Sequence, residues 1–117
     1  MTDAWRETEA DWQRTVTELA TRLGWRVMHV RRTIGKGRRW TTGTSVVGWP
    51  DLTLWHEQRQ LLVFAELKAD DGKVTPEQEE VLGSLLRAGQ QAHVWRPRDF
   101  DDVMATLSDR RAEEQHR

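Results

Sequence analysis

Three residues near the middle of the chain have the types and spacing of a site for phosphoryl chemistry. Asp51 follows Pro50, and Glu66 and Lys68 stand one residue apart at the end of the apolar run LLVFAELKA. Side chains two positions apart on a strand point to the same face, so Glu66 and Lys68 are expected to project together. Carboxylate oxygens are hard ligands that suit Mg²⁺ or Mn²⁺, and such an ion can activate a water. A lysine here could hold that water or a phosphate.

A plain salt-bridge cluster at a sheet edge is the alternative for the same three residues. Exposed ion pairs are common and contribute only ~0–1 kcal/mol each. Both flanking segments are apolar, however, so the two carboxylates would lie against a core, where like charges repel unless a cation lies between them. The chain has only three lysines beside 15 arginines, which makes a lysine at this position unexpected for a simple countercharge.

Hydrophobic periodicity predicts the elements that position these residues. A first helix is predicted from about Thr2 to Leu23, capped by Thr2 or Asp3 and ended by Gly24. Three strands are predicted at 25–30, 46–55 and 61–69, with HEQRQ as a hairpin loop between the last two. Antiparallel pairing across that loop would bring Asp51 roughly opposite Glu66. The apolar stripe of the first helix comprises Trp5, Trp12, Val16, Leu19, Ala20 and Leu23.

A second helix has a strong start signal, because Thr75, Pro76 and Gln78 form a capping box with proline at the first helical position. Its predicted apolar face is Val81, Leu82, Leu85 and Leu86, and Gly89 is its expected stop. A last strand at 91–97 and a short helix capped by Asp99 complete the chain. That helix is expected to bury Phe100, Val103, Met104 and Leu107.

The order α-β-β-β-α-β-α predicts an α/β protein with a mixed central sheet flanked by helices. A single domain is expected over residues 1–108, followed by a polar tail at 109–117 that frays. The chain has 117 residues, a net charge of −1 and no cysteine, which excludes disulfides, thiolate nucleophiles and cysteine-bound zinc. Without a signal-like start or a long apolar run, it is expected to be soluble and cytoplasmic, with no membrane partner.

The segment 26–39 is locally basic, with six arginines or lysines and no acidic residue. It is predicted to be a phosphate-binding arm or, alternatively, a solvated loop. Residues 31–45 lack a clear period and are predicted to form a mobile loop. The G-K-G string at 35–37 lacks phosphate-loop spacing, so no nucleotide cofactor is expected. The predicted backbone-phosphate contacts are Arg31, Arg32, Lys36, Arg38 and Arg39, with Trp40 as a base-stacking residue.

Several of these patterns together resemble a known enzyme family. Pro50-Asp51 followed by Glu66-Leu67-Lys68 matches the PD-(D/E)XK nuclease superfamily. The wider pattern is similar to the virus-type replication–repair nucleases (VRR-NUC), including small phage and bacterial members. The shared features are the early Glu9, Gly48-x-Pro50-Asp51-Leu52, the Thr-Pro-Glu-Gln helix start and the final strand before an acidic helix. The likeness extends from about Glu9 to Leu107.

The resemblance implies a restriction-endonuclease-like core and a role for each motif residue. Asp51 and Glu66 would hold Mg²⁺ or Mn²⁺ with the Leu67 backbone carbonyl, and Lys68 would be the catalytic lysine. Glu9 would reach the metal directly or through water; the alternative is a carboxylate at the edge of the helix stripe. Gln78 would lie near the active site, although the capping box also explains it. The family likeness further implies branched or four-way junction DNA as substrate and a homodimer, which apolar residues at 46–49 would help to form.

Other functions remain open at this stage. A nucleic-acid-binding module without turnover, a nuclease acting on RNA, and a structural domain with an edge salt bridge fit the same composition. The structural domain predicts that Asp51→Ala and Glu66→Ala only lower stability. The metal site predicts instead that loss of one carboxylate relieves repulsion. His29 could contact phosphate or be a strand histidine with a satisfied ring, and Trp49 could belong to the site or to the core.

Overall fold

The computed structural model describes residues 8–30, 32–34, 40–42 and 45–108, with backbone alone at 32–34 and 40–42. The predicted roles of Thr2, Asp3, Trp5 and the tail 109–117 lie outside this part of the chain. In chain order, the described elements are α1 (Glu9–Arg22), β1 (Arg26–His29), β2 (Arg32–Ile34), β3 (Trp40–Thr42), β4 (Leu52–His56), β5 (Leu61–Leu67), α2 (Pro76–Arg87), β6 (Gln91–Trp95), a 3₁₀ turn (Pro97–Asp99) and α3 (Phe100–Leu107).

One mixed sheet organises the described residues, with strand order β1-β4-β5-β6. The strands β1, β4 and β5 pair antiparallel, and β5 pairs parallel with β6 through the crossover helix α2. Together with the helices, this sheet confirms the predicted α/β class. Within the described ranges, no helix combines the length and apolarity that a membrane crossing requires.

The first helix begins later than its sequence pattern predicts. Thr8 has extended backbone angles (φ −74°, ψ 163°), and its side chain accepts a hydrogen bond from the Asp11 N–H. Thr8 is therefore the N-cap of α1, and Glu9 is its first helical residue. The predicted stop is confirmed: Gly24 has φ +92°, and the Trp25 N–H donates to the Ala20 carbonyl at 3.0 Å.

The pairing of β4 with β5 sets the register that the site depends on. Leu52 is paired with Ala65, so Asp51, one residue before β4, lies beside the next residue of β5, Glu66. This confirms the predicted opposition of the two carboxylates. Residues 46–51, however, form bends and a turn rather than the start of a strand. Gly48, with φ +90°, and Pro50 account for the late strand start, because neither residue favours a regular ladder.

The basic segment contains more structure than the predicted loop. Strands β2 and β3 form a separate two-stranded antiparallel sheet in which Arg32 pairs with Thr42, Thr33 with Thr41 and Ile34 with Trp40. Threonine, isoleucine and tryptophan favour extended backbone, which explains why a segment without clear alternation still pairs. The loop prediction is therefore wrong for these residues.

A hydrophobic core fills the space between one sheet face and the helices α1 and α3. It comprises Trp12, Val16, Ala20, Trp25, Leu52, Leu54, Val63, Ala65, Leu67, Trp95, Val103 and Leu107. On the other face, α2 buries Leu82 and Gln78. Two residues of the predicted apolar helix faces, Leu86 and Phe100, are exposed, so their core assignment is wrong. The short helices cover only part of the sheet, so residues at the edges of their apolar stripes stay in solvent.

Candidate metal centre

Three carboxylates from three separate parts of the chain meet at one end of the sheet. Glu9, Asp51 and Glu66 each offer an oxygen, and these oxygens all lie within 4.8 Å of one another. Asp51 and Glu66 are buried, whereas Glu9 is exposed at the first turn of α1. All three carboxylates that the sequence pattern selected are therefore brought together.

Glu66 is the most buried member of the cluster, with 0% of its surface exposed. It lies on the central strand β5, which has neighbours on both sides and a helix layer over each face. The Gln78 side-chain amide donates to Glu66 Oε2 at 2.9 Å, and Lys68 Nζ lies 3.5 Å from the same oxygen. The ion pair is therefore buried. The alternative of an exposed edge salt bridge does not fit this geometry, because a buried carboxylate requires compensating partners.

Asp51 joins the backbone ladder through its side chain. The Leu67 N–H donates to Asp51 Oδ2 at 2.9 Å, and the Val30 N–H donates to the Asp51 carbonyl oxygen at 2.9 Å. One carboxylate oxygen thus satisfies the buried backbone donor of the last residue of β5, beside the start of β4. The contact fixes the direction of the carboxylate. The predicted metal contact of the Leu67 carbonyl stays a prediction, because the Leu67 contact observed here is made by its N–H.

Lys68 follows β5 directly, and its backbone is fixed by the neighbouring strand. Its N–H donates to the Trp95 carbonyl oxygen at 3.1 Å, and its residue surface is only 8% exposed. As predicted from the two-residue spacing, its ammonium projects to the same side as Glu66. The Lys68 ammonium therefore lies beside the carboxylate cluster and is largely shielded from solvent.

Gln78 has both of the roles that the sequence left open. Its Oε1 accepts from the Thr75 N–H at 2.9 Å, and the Gln78 N–H donates to the Thr75 hydroxyl at 3.2 Å, which completes the predicted capping box. Its Nε2 donates to Glu66. One side-chain amide therefore caps α2 and holds a cluster carboxylate.

The turn before Asp51 packs against the start of α2. A Cβ placed on Gly48 would lie 2.5 Å from the carbonyl carbon and oxygen of Glu77, and Gly48 also has φ +90°. Only glycine fits this approach without a shift of the backbone. The next residue, Trp49, makes an edge contact with Phe64 at a ring separation of 5.6 Å. Trp49 is half-buried and packs on Phe64, two residues before Glu66 on β5, so this contact fits both of the alternatives that the sequence left open.

The predicted nucleic-acid contacts belong to the connection between β1 and β4. Arg31, Lys36, Arg38 and Arg39 lie outside the described residues, as do the side chains of Arg32 and Trp40. The backbone nevertheless relates this segment to the cluster. The end of β1 at His29 pairs with Leu52 at the start of β4, so β2 and β3 belong to the connection that leaves and re-enters the sheet beside Asp51.

Sequence reasoning missed three polar arrangements around the cluster. The Trp12 indole donates to the Trp95 carbonyl at 2.9 Å. Arg96 Nη1 donates to the carbonyls of Ala69 and Gly72 at 2.7 and 2.6 Å. Exposed His29 places Nδ1 2.7 Å from Gln13 Nε2, one helical turn after Glu9. The position of Trp12 three residues after Glu9 was a usable signal for the first arrangement, whereas the other two depend on tertiary contacts.

The donor chemistry of the cluster fits a hard divalent cation. Its three acidic side chains supply oxygen ligands only, which is the set that Mg²⁺ and Mn²⁺ prefer over softer metals. Asp51 and Glu66 are held by hydrogen bonds from Leu67 and Gln78, so both ligands are oriented in advance. Glu9, in contrast to these two ligands, is exposed to solvent.

Comparison with known proteins adds no relative to this description. No protein-family model matches the chain, and neither a curated protein nor a solved structure matches it. The chemistry of the cluster itself must therefore support any proposal of function.

Proposed function

We propose that this protein is a Mg²⁺- or Mn²⁺-dependent nuclease that hydrolyses phosphodiester bonds in DNA, with branched or four-way junction DNA as its substrate. The observation that carries the proposal is the convergence of Glu9, Asp51 and Glu66 within 4.8 Å, with Lys68 3.5 Å from Glu66. Carboxylates at this separation repel one another, and a cation among them turns that repulsion into binding. A lysine beside such a centre is suited to a phosphate or an attacking water.

The fold supports the same proposal at a finer level. The order α1, β1, β4, β5, α2, β6 corresponds to the α-β-β-β-α-β core that the family resemblance implies. The β2–β3 pair is an addition between the first two strands of that core. We assign the chain a restriction-endonuclease-like core on this basis.

Each residue of the site has a separate task in the proposed reaction. Asp51 and Glu66 would hold the cation, with Glu9 completing the ligand set from α1. The bound cation would supply Lewis-acid stabilisation of charge on the phosphate and lower the pKa of a water. Lys68 would orient that water or the scissile phosphate. Gln78 donates to Glu66 and so keeps this carboxylate directed at the cluster.

Two further observations support the substrate and the oligomeric state in this proposal. Five of the six basic residues between 26 and 39 follow β1, in the connection that leaves the sheet beside Asp51, and they support a polyanionic substrate. Val46 and Val47 are 43% and 75% exposed, and these apolar side chains support a contact with a second copy. A dimer would present two sites to a branched substrate.

A cleavage assay tests the proposal. Labelled four-way junction, flap, single-stranded and linear duplex DNA would be incubated with the purified chain in Mg²⁺, Mn²⁺ or EDTA. Lys68→Ala is compared with Lys73→Ala, because Lys73 is an exposed lysine five residues along the same segment. We expect metal-dependent cleavage that Lys68→Ala removes and Lys73→Ala retains, with branched DNA cut fastest.

The other outcomes distinguish the alternatives. Binding of DNA without cleavage in any metal contradicts the enzyme and supports an accessory binding module. Cleavage of RNA but not of DNA contradicts the proposed DNA substrate and still supports metal-dependent hydrolysis of phosphodiester bonds. Equal loss in both lysine variants contradicts the assigned role of Lys68. Sedimentation of the chain alone measures whether it dimerises.

A further inference from the structure

The proposed cluster spans two structural layers, and a hydrogen bond from the Trp12 indole joins them close to Glu9. Asp51, Glu66 and Lys68 belong to the sheet, whereas Glu9 belongs to α1. Glu9 is exposed in the first helical turn. The distance from Glu9 to the other two carboxylates therefore depends on how the start of α1 sits on the sheet.

Trp12 is the buried contact nearest to Glu9. It lies three residues later in α1, on the same side of the helix, and is 1% exposed. Its indole N–H donates to the Trp95 carbonyl at the end of β6, at 2.9 Å. Its ring also lies 6.5 Å from that of Phe100 on α3. Within an α-helix, a shift or rotation at Trp12 is transmitted to Glu9, about 4.5 Å away along the helix axis.

The oxygen that receives the indole is itself part of the site's framework. The Trp95 carbonyl also accepts the backbone N–H of Lys68, at 3.1 Å. One oxygen thus joins the start of α1, the end of β6 and the residue after β5 that carries the proposed catalytic ammonium. No other residue type offers a flat apolar ring with a single N–H donor suited to both the core and this acceptor.

We infer that Trp12 is a positioning residue of the metal centre: its indole–carbonyl hydrogen bond sets the location of Glu9 relative to Asp51 and Glu66. This inference rests on the proposed function, because it concerns the same cluster. Trp12 touches neither the metal nor the substrate in this role. It acts through Glu9, so its loss weakens metal binding beyond any loss of fold stability.

The chain contains a closely matched control in Trp25. This residue is 3% exposed, and its indole N–H donates to the Leu107 carbonyl at 2.8 Å. As with Trp95, that carbonyl keeps a second donor, here Arg59 Nη1 at 3.0 Å. Trp25, however, packs against His56 at the far end of β4, about 13 Å along the strand from Leu52. Replacing either tryptophan removes the same kind of bond, but only one is next to the cluster.

The experiment measures Mn²⁺ affinity by isothermal titration calorimetry and stability by urea unfolding in EDTA, for the full chain with Trp12→Phe or Trp25→Phe. We expect comparable losses of stability in both variants. Trp12→Phe should weaken Mn²⁺ binding by about tenfold, the range seen when the support of a metal ligand is removed. Trp25→Phe should stay within about twofold of the unaltered chain, since its ring lies away from the ligands.

A double-mutant cycle tests whether Trp12 acts through Glu9. Glu9→Gln alone should weaken Mn²⁺ binding, and adding Trp12→Phe should weaken it by less than about twofold more, because residues acting through one contact are not additive. A further tenfold loss overturns the inference. Unchanged Mn²⁺ affinity in Trp12→Phe, or equal weakening in Trp25→Phe, also overturns it.

A second measurement covers the case in which Trp12→Phe does not fold. In the unaltered chain, the Trp12 indole ¹H–¹⁵N signal, assigned by triple resonance, should move during a Mg²⁺ titration, whereas the Trp25 indole signal should not. A Trp12 signal that stays in place while Mg²⁺ binds overturns the inference alone. An unaltered chain that binds neither Mn²⁺ nor Mg²⁺ contradicts the proposed function instead.

Discussion

The side-chain amide of Gln78 connects the start of a helix to the buried carboxylate of Glu66. Its Nε2 donates to Glu66 Oε2 at 2.9 Å, while its Oε1 accepts from the Thr75 N–H at the same distance. The amide oxygen and the amide nitrogen are therefore both occupied. Loss of the oxygen contact affects the helix cap, whereas loss of the nitrogen contact affects Glu66. This asymmetry separates the structural role of Gln78 from its role at the metal centre.

Replacing Gln78 by glutamate tests the two roles together. Glutamate keeps the acceptor that the capping box needs, but it places a carboxylate beside Glu66 instead of a donor. In EDTA, we expect Gln78→Glu to lower the free energy of unfolding by about 1–3 kcal/mol, because the buried Glu66 carboxylate keeps Lys68 but loses its amide donor. Added Mn²⁺ should recover more stability in this variant than in the unaltered chain. Urea unfolding with and without the metal measures both effects.

Thr75→Ala is the control for the cap alone. It removes the hydroxyl that accepts the Gln78 N–H, and losses of this kind cost about 1 kcal/mol. The metal-induced gain in stability should stay the same as in the unaltered chain. An equal gain in Gln78→Glu and Thr75→Ala contradicts the proposal that Gln78 belongs to the metal centre.

Asp51 also has a structural role and a proposed metal-binding role that substitutions can separate. Its carboxylate accepts the Leu67 N–H and also belongs to the cluster. Asp51→Asn retains an acceptor oxygen, whereas Asp51→Ala leaves a buried N–H without one, at a cost of about 1–3 kcal/mol. The expectation that loss of a carboxylate simply relieves repulsion thus applies to Asp51→Asn and not to Asp51→Ala. In EDTA, we expect asparagine to be near neutral or stabilising and alanine to destabilise. Thermal unfolding distinguishes them, and both variants should lose Mn²⁺ binding and cleavage.

The buried position of Glu66 predicts that folding and metal binding are linked. A ligand that binds only the folded chain stabilises it by about 2.7 kcal/mol at a concentration 100 times its Kd. We expect Mn²⁺ or Mg²⁺ to raise the melting temperature of the unaltered chain, and Glu66→Gln to abolish the rise. Differential scanning calorimetry over a metal titration provides the measurement, with Glu79→Gln, an exposed change on α2, as the control. If the metal does not change the melting temperature of the unaltered chain, the proposed metal centre is contradicted.

Local patterns in the sequence predicted much of the site, because its residues follow short-range rules. The two-residue spacing of Glu66 and Lys68 and the capping box at Thr75 are set by strand and helix periods. The opposition of Asp51 and Glu66 followed from a short hairpin loop. Each of these depends on residues that are close in sequence.

Other features were beyond prediction because they depend on how elements meet. The late start of α1 at Glu9 depends on the backbone angles of Thr8, which periodicity does not report. The β2–β3 pairing arises in a segment without alternation. The exposure of Leu86 depends on how α2 packs on the sheet, which its helical period alone does not determine. The carbonyl contacts of Arg96 join segments 24 to 27 residues apart, so no local pattern could indicate them.

Arg96 provides the last prediction, since it holds the segment that follows Lys68. Its Nη1 donates to the carbonyls of both Ala69 and Gly72, and a lysine side chain, which is one atom shorter, does not bring its ammonium to the same position. We expect Arg96→Lys to speed hydrogen exchange at residues 69–72 and to lower the cleavage rate, while the unfolding free energy falls by only about 1–2 kcal/mol. Arg98→Ala is the control, because it removes a side-chain bond to the exposed Asp70 carbonyl, at 3.2 Å, and keeps the bond from the Arg98 backbone N–H to the Asp70 carboxylate. If exchange at 69–72 and cleavage respond equally to both changes, Arg96 has no specific role in ordering the segment beside the proposed catalytic lysine.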